Sequence, residues 1–478
     1  MICCARPRVP LGELLGGSGF EGLAGDVAAA GSPADPTSAV GPGSSTAAEH
    51  LRRCARALVE RGVSPDRPAC AYVVPGRIEV LGKHVDYAGG RSLVVAVDRG
   101  FHLVAVPRDD DRVVLLDVAA GETAEVRLAA GEGPGPGHAQ PAWALYPGTV
   151  AARVALNFAG ARTGADVAFI SDLPQAAGLS SSSAFVVATF LALAAVNGLE
   201  DTEPYRTHLR TPEALAEYLS AVENGGDYGA LVGWRGVGTK GGSQDHTAIL
   251  CARPGRLVRY AFRPVRYEGE ARIPDGYVFA VASSGVRAEK AGRALEDYNR
   301  ASDEAAAIAE LWRAATGGSE PHLGAVLACG PDAAARLREV LCTARHPVAP
   351  PETLLTRLEQ FHAECLEIIP AACAALDAGD VSAFGALVDR SQALAERALR
   401  NQIPETVHLA RSARALGAAA ASAYGAGFGG SVWALIEESR ATTFLDAWRR
   451  AYFEAFPARA RDAEFFVAAA GPGARRVA

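Results

Sequence analysis

Short apolar runs, each closed by a polar or glycine-containing turn, follow one another from residue 69 and predict a meandering sheet. The runs are CAYVV, RIEVLG, SLVVAVDRG, HLVAVPR, DRVVLLDV and AEVRLAA. Runs of strand length that are rich in β-branched residues and bounded by turn residues indicate strands. A Gly/Pro-rich loop (131–141), a helix (143–158) and a strand (166–170) are predicted next, and a second helix follows directly.

Helical periodicity dominates the second half of the chain. The middle predicts a helix over 212–224, a Gly-rich turn over 236–242, and strands around 247–251 and 256–263. Beyond it the pattern predicts strands over 277–283, 431–438 and the final AEFFVAAA, and helices over 289–315, 331–344, 351–377, 382–398, 406–419 and after 438. Strands and helices that do not alternate regularly favour an α+β fold over a doubly wound parallel sheet.

Two changes in composition divide the chain. Residues 15–46 are rich in Gly, Ser, Ala and Pro, which predicts a loose leader before a helix at 47–61. The Pro-containing stretch 263–276 predicts a domain boundary near residue 270. We therefore divide the chain into a leader with a short helix (1–65), an N-terminal domain (66–270) and a C-terminal domain (271–478). The 478 residues suffice for this organisation.

The net charge and the cysteine pattern indicate which class of ligand and which cellular compartment to expect. The 47 basic and 54 acidic residues give a net charge of −7, which argues against nucleic acid or an anionic membrane as a partner and favours a small-molecule ligand. Nine cysteines without a CxxC pair indicate neither a zinc site nor a disulfide framework, and fit a reducing cytoplasm. The apolar run 184–196 is too short to span a membrane, and no secretory signal is expected.

The segment PGRIEVLGKHVDYAGG (75–90) crowds polar side chains at the end of a predicted strand. Salt bridges and turn contacts would explain this crowding as well as a binding site would. Lys83 stands out, because the chain has only two other lysines, Lys240 and Lys290, beside 44 arginines, although a biased base composition accounts for the overall ratio.

The segment 172–199 places a glycine and four serines directly before a long apolar helix. Unpaired amides at a helix start, the helix dipole and small hydroxyl side chains together form a cradle for phosphate. The segment is no Walker A loop, since it lacks GK[ST]. The alternative interpretation is that Ser180 to Ser183 only cap a buried helix.

The segment SAYGAGFGGSVWALIEE (422–438) contains GxGxxG at 425–430, followed by a predicted strand. A dinucleotide site would place a helix there, so this context argues against a Rossmann fold. The same pattern at 236–241 fails for lack of a strand before it and a helix after it. Both glycine segments are interpreted as turns in which backbones approach closely.

Together and in this order, the three segments resemble those of galactokinases, within the GHMP kinase superfamily. Weaker matches lie at Trp143 to Tyr146, Glu223-Asn224, 241–246, 283–299 and 465–474, so that the likeness covers residues 69–474. It implies an α+β, two-domain GHMP kinase fold, with an S5-like N-terminal and a ferredoxin-like C-terminal domain. It also implies a sugar 1-kinase, which transfers a phosphoryl group from ATP to the anomeric hydroxyl of the sugar.

By position in these motifs, Asp245 resembles the catalytic base of galactokinases and Arg77 the residue beside it. A carboxylate next to an arginine stays ionised and can accept the proton of the attacking hydroxyl, while the guanidinium steadies charge on the phosphoryl group. A turn aspartate that bonds backbone amides is the structural alternative for Asp245.

The resemblance also assigns ligand-binding residues. Mg²⁺ prefers hard oxygen ligands, and the matching positions are Ser182 and Glu223, although a helix glutamate is commonly just solvated. The remaining candidates are Gly178, Leu179, Ser180, Ser181 and Ser182 for ATP, and Lys83, His84, Asp86 and Tyr298 for the sugar. His246, next to the expected base, is a further candidate for the sugar, and a structural role is an equal alternative for it.

Several positions depart from the galactokinase pattern. The chain has Glu79, Lys83, Val85, Ala176, Gln244 and His246 where galactokinases have Asn, Glu, Thr, Gly, Met and Gln. Lys83 offers only donors and a positive charge, so one hypothesis is a sugar that carries an anion, such as a hexuronic acid. In the other, Lys83 pairs internally with Glu79 or Asp86 and galactose remains the substrate.

Two further alternatives remain open at the level of the sequence. One is a catalytically silent sugar and ATP sensor on the same fold. The other is a GHMP enzyme acting on mevalonate-like or amino-acid alcohols. The sequence makes no prediction of the oligomeric state.

Overall fold

The computed structural model describes residues 8–16, 20, 42–131, 140–174, 178–286 and 293–478. Most of the predicted leader (17–19 and 21–41), most of the predicted loop 131–141, Ala176, Lys290 and the first residues of the predicted helix 289–315 lie outside these ranges. In the described residues, no helix is both long enough and apolar enough to cross a lipid bilayer.

The strands of the described residues, in chain order, are β1 (Val9–Pro10), β2 (Pro68–Leu81), β3 (Arg91–Pro107), β4 (Arg112–Asp117), β5 (Glu122–Arg127), β6 (Ala165–Ser171), β7 (Arg256–Ala261), β8 (Arg266–Arg272), β9 (Tyr277–Ser283), β10 (Ala420–Tyr424), β11 (Ser431–Glu437), β12 (Glu464–Ala468), β13 (Ala470–Gly471) and β14 (Arg475–Arg476).

The helices are α1 (Leu11–Gly16), α2 (Pro42–Glu60), α3 (Leu145–Asn157), α4 (Ser181–Asn197), α5 (Glu203–His208), α6 (Pro212–Asn224), α7 (Gln244–Cys251), α8 (Arg293–Thr316), α9 (Leu323–Leu327), α10 (Ala333–Thr343), α11 (Pro351–His362), α12 (Ile369–Asp377), α13 (Val381–Leu394), α14 (Pro404–Ala415) and α15 (Ala441–Ala455). Two π-helical segments, Ala363–Ile368 and Ala395–Leu399, follow α11 and α13.

The first sheet is built around the long antiparallel pair β2 and β3. Its strand order is β1-β2-β3-β6-β4-β5, with β7 and β13 also pairing with β3, β14 with β2, and β8 with β7. β4 and β6 run parallel, and the pairs along the rest of this order are antiparallel. The apolar runs that the sequence shows as separate join into β2 and β3, with register shifts in β2 near Pro75 and Glu79.

Helices cover both faces of this sheet. On one face, α2 packs Leu51, Cys54 and Leu58 against residues of β3 and β6 such as Val104 and Ile170. On the other face α4 is buried almost all round, as its continuous apolar sequence requires. It lies between the sheet and the helices α3, α6 and α7. This second face supports the loop that precedes α4.

The second sheet has the order β10-β11-β9-β12 and is antiparallel throughout. In chain order, β9, a helical region, β10, β11, α15 and β12 form the split βαβ arrangement of ferredoxin-like domains. Trp448 and Tyr452 of α15 are buried against it. The predicted α+β fold class and the ferredoxin-like arrangement of the second domain are confirmed.

One element differs in type from its prediction. Residues 247–251, predicted as a strand, belong to α7, in which the apolar residues Ala248, Ile249 and Leu250 are all buried. A short apolar run that is buried on every side has no amphipathic period by which a strand could be distinguished from a helix. The helical conformation matters for function, because it places Asp245 in the first turn of α7.

Candidate active site

Arg77 joins the first two motif segments. It follows the register shift in β2, where a Cβ added to Gly76 would lie 2.9 Å from the carbonyl oxygen of Leu179. This close approach allows the Arg77 amide to donate to the Leu179 carbonyl over 3.2 Å, and the guanidinium donates to the carbonyl of Gly178. β2 is thus attached directly to the loop before α4.

The same guanidinium forms an ion pair with Asp245. The Arg77 Nε donates to Oδ1 of Asp245 over 2.8 Å. The Arg77 side chain is buried, whereas that of Asp245 is 23% exposed, so the carboxylate remains accessible to a substrate. Arg77 also lies over the ring of Tyr424 in the third segment, 5.9 Å from its centroid. The predicted catalytic pair therefore lies where all three segments meet.

The loop before α4 has the backbone of a ligand cradle. Gly178 and Ser180 both have positive φ, 79° and 60°, and α4 begins at Ser181. Ser180 makes no capping hydrogen bond, and its buried hydroxyl has no partner among the described residues. The interpretation that the serines only cap the helix is therefore not supported at Ser180. Leu179 is buried beneath the loop.

Glu223 projects from α6 to the start of α4. It is buried and accepts a hydrogen bond from the Ser183 hydroxyl over 2.8 Å, and Nε2 of His246 lies 3.1 Å from its Oε2. Ser182, predicted as a metal ligand together with Glu223, is half-buried and contacts the Tyr146 hydroxyl; burial is the main cause that raises the pKa of Tyr146 to about 12. Ser183 was not predicted, although the run of four serines placed it next to the chosen residue.

Two of the predicted sugar ligands, Asp86 and Tyr298, lie close to Asp245, and His84 lies beside Tyr298. Asp86 accepts a hydrogen bond from the Gln244 amide over 3.0 Å, and burial raises its pKa. His84 contacts the hydroxyl of Tyr87 and the carbonyl of Ala426 through its two ring nitrogens, at 3.2 and 3.1 Å.

Tyr298 completes this group. Its ring lies 5.8 Å from that of His84, and burial, assisted by the carboxylates of Asp245, Asp86 and Glu223, raises the pKa of its hydroxyl. The first segment and α8 thus supply a cluster of polar groups beside the Asp245 carboxylate.

Lys83, the fourth predicted sugar ligand, has an internal partner. Its side chain is almost fully buried, and Nζ donates to the Ser391 hydroxyl over 3.1 Å. Ser391 in turn donates to Glu364 over 2.9 Å, and the Gly82 amide donates to the same carboxylate oxygen over 2.7 Å. The hydrogen-bond partner is thus neither of the two carboxylates considered from the sequence, Glu79 and Asp86.

Two departures from the galactokinase pattern contact each other. Burial is the main cause that raises the pKa of Glu79 to about 7, and its Oε2 accepts from Nε2 of Gln244 over 2.6 Å. The side-chain amide oxygen of Gln244, Oε1, accepts from the Ser92 hydroxyl. Sequence reasoning listed both substitutions but could not pair them, because 165 positions separate them.

The third segment is a close-approach turn, as predicted. A Cβ on Gly425, whose φ is +80°, would lie 3.0 Å from the Gly178 carbonyl oxygen, and a Cβ on Gly178 would lie 3.2 Å from that of Tyr424. The other GxGxxG turn lies against the end of α6, where a Cβ on Gly236 would be 2.4 Å from the Glu223 carbonyl oxygen.

Comparison with known proteins identifies related sequences and folds. Residues 147–232 match the GHMP kinases N terminal domain, residues 372–455 the GHMP kinases C terminal region, and residues 62–107 the galactokinase galactose-binding signature. The chain is 28% identical to a galactokinase of Roseiflexus sp. over 84% of its length and 92% of the relative. Its fold is similar to that of Lactococcus lactis galactokinase complexed with galactose, with a TM-score of 0.66, 22% identity, and coverage of 88% of this chain and 98% of that one.

A galactokinase of Streptomyces coelicolor is 30% identical over 86% of this chain and 95% of the relative. The likeness therefore extends over most of the chain. With both GHMP kinase regions present and a galactose-binding signature before them, the chain belongs to the galactokinase family.

Proposed function

We propose that this protein transfers the γ-phosphoryl group of ATP to the anomeric hydroxyl of galactose. The observation that carries the proposal is the Arg77–Asp245 pair, with 2.8 Å between Nε and Oδ1. It lies between a loop suited to phosphate and a cluster of polar side chains suited to a sugar. Phosphoryl transfer requires this placement, because catalysis consists mainly of positioning and charge stabilisation.

Asp245 is the proposed base. The adjacent Arg77 favours the ionised carboxylate, which orients the sugar hydroxyl and accepts its proton as the phosphoryl group is transferred. Arg77 is held by the carbonyls of Gly178 and Leu179, so its charge stays at the phosphate loop, where it stabilises the developing negative charge.

The loop before α4 is the proposed phosphate site. Amides at a helix start and the positive end of the helix dipole attract phosphate oxygens. Gly178 and Ser180 give the loop its left-handed turns, and the buried Ser180 hydroxyl is available to donate. Ser181 and Ser182 follow in the first turn of α4, which is half-buried there.

The oxygen ligands at the start of α4 fit Mg²⁺. Glu223 supplies a carboxylate, and the hydroxyls of Ser182 and Ser183 lie in the turn that faces it, with Ser183 already bonded to Glu223. Hard oxygen ligands of this kind suit Mg²⁺, which would neutralise phosphate charge when bound. We propose Ser182 and Glu223 as the metal-binding residues, with Ser183 orienting the Glu223 carboxylate.

Galactose is the proposed sugar, with His84, Asp86 and Tyr298 as its ligands. The Lys83 ammonium is bonded to Ser391 next to Glu364, so it has a structural partner and the pocket does not require an anionic sugar. Because the reaction consumes ATP, we propose that the enzyme acts in the cytoplasm.

The proposal is tested by coupled measurement of ADP release with galactose, glucose, galacturonate, N-acetylgalactosamine, mevalonate and homoserine. We expect turnover with galactose. Saturable galactose binding without turnover would instead identify a sensor, and turnover of mevalonate or homoserine alone would identify another GHMP activity.

The role of Lys83 is tested by kcat/KM for galactose and galacturonate in the parent and in Lys83→Glu. We expect the parent to prefer galactose. A preference for galacturonate that is lost in Lys83→Glu would show that the ammonium binds an anionic sugar and would reject galactose as the substrate.

A further inference from the structure

Two histidines and an aspartate converge on the side of the first sheet that α2 covers. His50 comes from α2, His102 from β3, and Asp172 from the segment that follows β6. The Nδ1 atoms of the two imidazoles face each other at 3.2 Å. One ligand atom from each of the three residues lies within 4.8 Å of the others.

We propose that His50, His102 and Asp172 form a binding site for a divalent transition metal such as Zn²⁺, which fastens α2 to the sheet. This site lies outside the proposed catalytic residues and depends on none of them. It therefore stands or fails independently of the proposed kinase activity.

The separation of the imidazoles fits tetrahedral coordination. Zn–N bonds of about 2.0–2.1 Å at the tetrahedral angle place two nitrogen ligands about 3.3–3.4 Å apart. The observed 3.2 Å between the Nδ1 atoms is close to this distance, and the ring planes are inclined at 70°. The histidines therefore need little movement to bind one ion.

Hydrogen bonds to Gly100 fix the orientation of the Asp172 carboxylate. Its Oδ1 accepts a hydrogen bond from the Gly100 amide over 2.6 Å, and its own amide donates to the Gly100 carbonyl over 3.2 Å. A carboxylate that is oriented in this way through one oxygen can present the other to a metal, as ligands supported by a second layer of hydrogen bonds do.

Charged side chains of both signs surround the two imidazoles. Glu49 and Asp172 add negative charge near the pair, whereas Arg53, Arg99 and Arg475 add positive charge. Solvent reaches the site past His50 and Asp172, which are half-buried.

Cys54 narrows the class of metal. It lies one turn after His50 on α2, but its thiol donates to the His102 main-chain carbonyl at 3.6 Å and is not among the converging ligand atoms. The donor set is therefore two imidazoles and a carboxylate, which suits Zn²⁺ or Co²⁺ rather than a thiolate-seeking ion such as Cu(I).

The consequence of binding would be local stabilisation. The metal would join α2, β3 and Asp172. Asp172 is followed by Leu173 and Pro174, which lead toward the phosphate loop. A ligand that binds only the folded chain raises its thermal stability. We therefore expect Zn²⁺ to raise the melting temperature of this protein.

The test is a metal titration of the full-length chain after chelation and removal of the chelator, with excess Mg²⁺ present to occupy oxygen ligands elsewhere. Co²⁺ reports tetrahedral nitrogen and oxygen ligation through its visible absorption, and calorimetry measures Zn²⁺ directly. We expect one equivalent to bind, and His50→Ala to weaken the affinity about 100-fold or more. Asp172→Asn, which keeps the acceptor for Gly100, should weaken it less and serves if His50→Ala does not fold.

His362→Ala is the matched control, because His362 is also half-buried and pairs with a carboxylate, Glu367, at 3.1 Å. It should bind the metal like the parent. Equal affinity in the parent, His50→Ala and Asp172→Asn would overturn the proposal by placing the metal elsewhere. Failure of the parent to bind would also overturn it and would leave the two imidazoles as a simple hydrogen-bonded pair.

Discussion

Arg77 owes its position to contacts with every segment that the sequence analysis singled out. It bonds Gly178 and Leu179 in the second, lies over Tyr424 in the third, and pairs with Asp245. A buried guanidinium is costly to desolvate unless its donors are satisfied, and its three nitrogens contact Asp245 and the Gly178 carbonyl. Lysine could not replace this planar set of donors.

Asp245→Asn should lower kcat by about 10²–10⁴-fold, the range associated with loss of a general base. The affinity for ATP should change little, because the substitution preserves the shape of the side chain and removes the proton acceptor and its charge but no contact with the nucleotide. Steady-state kinetics and a binding titration with a non-hydrolysable ATP analogue measure the two effects. Asp201→Asn, on an exposed residue paired with Arg206, is the control; a kcat within a few-fold of the parent in Asp245→Asn would disprove the assignment.

The raised pKa of Glu79 predicts that the stability of the protein depends on pH. Its pKa lies near 7 in the folded protein, against an ordinary value of 4.5, so the folded state binds a proton that the unfolded chain has released between these values. Stability therefore falls as pH rises from 4.5 to 7. Glu79→Gln cannot ionise, and its advantage over the parent should grow by up to about 3 kcal/mol between pH 4.5 and pH 8.

Urea unfolding of both proteins at the two pH values measures this difference. Glu125→Gln, on a half-exposed strand residue, controls for the removal of a carboxylate as such. A difference between Glu79→Gln and the parent that does not change with pH would show that the pKa of Glu79 is the same in the folded and unfolded states.

Only part of the site could be found at the level of single residues. Arg77, Asp245, Asp86 and Glu223 belong to recognisable motifs, and the structure brings them together. Ser391 and Glu364 belong to no recognisable motif, since they reach Lys83 from helices about 300 positions later in the chain. A motif identifies a residue that acts through its neighbours in the chain, whereas a partner supplied by packing leaves no local pattern.

At the scale of elements, the helical region after β9 supports the turn that carries Lys83 and His84. Arg357 of α11 donates to the His84 carbonyl and Gln360 to that of Lys83, and Glu364 lies in the π-helical segment that follows. His84 has a φ of +55°, a conformation that costs about 1 kcal/mol or more for a residue other than glycine. These hydrogen bonds therefore hold a strained turn in place.

Lys83→Met should destabilise the protein by about 3 kcal/mol, because it leaves the buried Glu364 carboxylate without its nearby ammonium. Adding Glu364→Gln should recover part of the loss, since the remaining groups are then neutral. A double-mutant cycle measured by urea unfolding gives the coupling. Additive effects of the two substitutions would show that Lys83 and Glu364 do not interact through Ser391.

The elements themselves were predictable to different degrees. Predicted helix 212–224 and strand 277–283 coincide with α6 and β9, because their patterns are long and bounded by clear signals. β8 lies within the Pro-containing stretch interpreted as a boundary, and β10 follows α14 with little polar interruption, so neither was predicted. Nor could the sequence show that 351–377 contains a π-helical segment, since its helical periodicity is nearly unbroken.

At the scale of the whole molecule, the first sheet takes strands from both halves of the chain, whereas the second takes strands only from the second half. We propose that the domain boundary lies between β8 and β9, at residues 273–276, where the chain leaves the first sheet for the second. The last strands nevertheless return, because β13 pairs with β3 and β14 with β2. The helix of the predicted leader likewise packs on the first sheet, so residues from both ends of the chain support β2 and β3, which carry Arg77 and His102.

The contact between the two domains at the site can be tested through one glycine. Gly425→Ala places a methyl group 3.0 Å from the Gly178 carbonyl oxygen, and the phosphate loop must move away to accept it. Gly121→Ala is a matched control, because Gly121 has a similar φ, +71° against +80°, but open space around it. Both variants should lose about 1 kcal/mol of stability from the left-handed backbone, measured by urea unfolding. Only Gly425→Ala should also raise the KM for ATP, by about 10-fold, which corresponds to about 1.4 kcal/mol. An unchanged KM in Gly425→Ala would mean that the glycine turn of the second domain does not position the phosphate loop of the first.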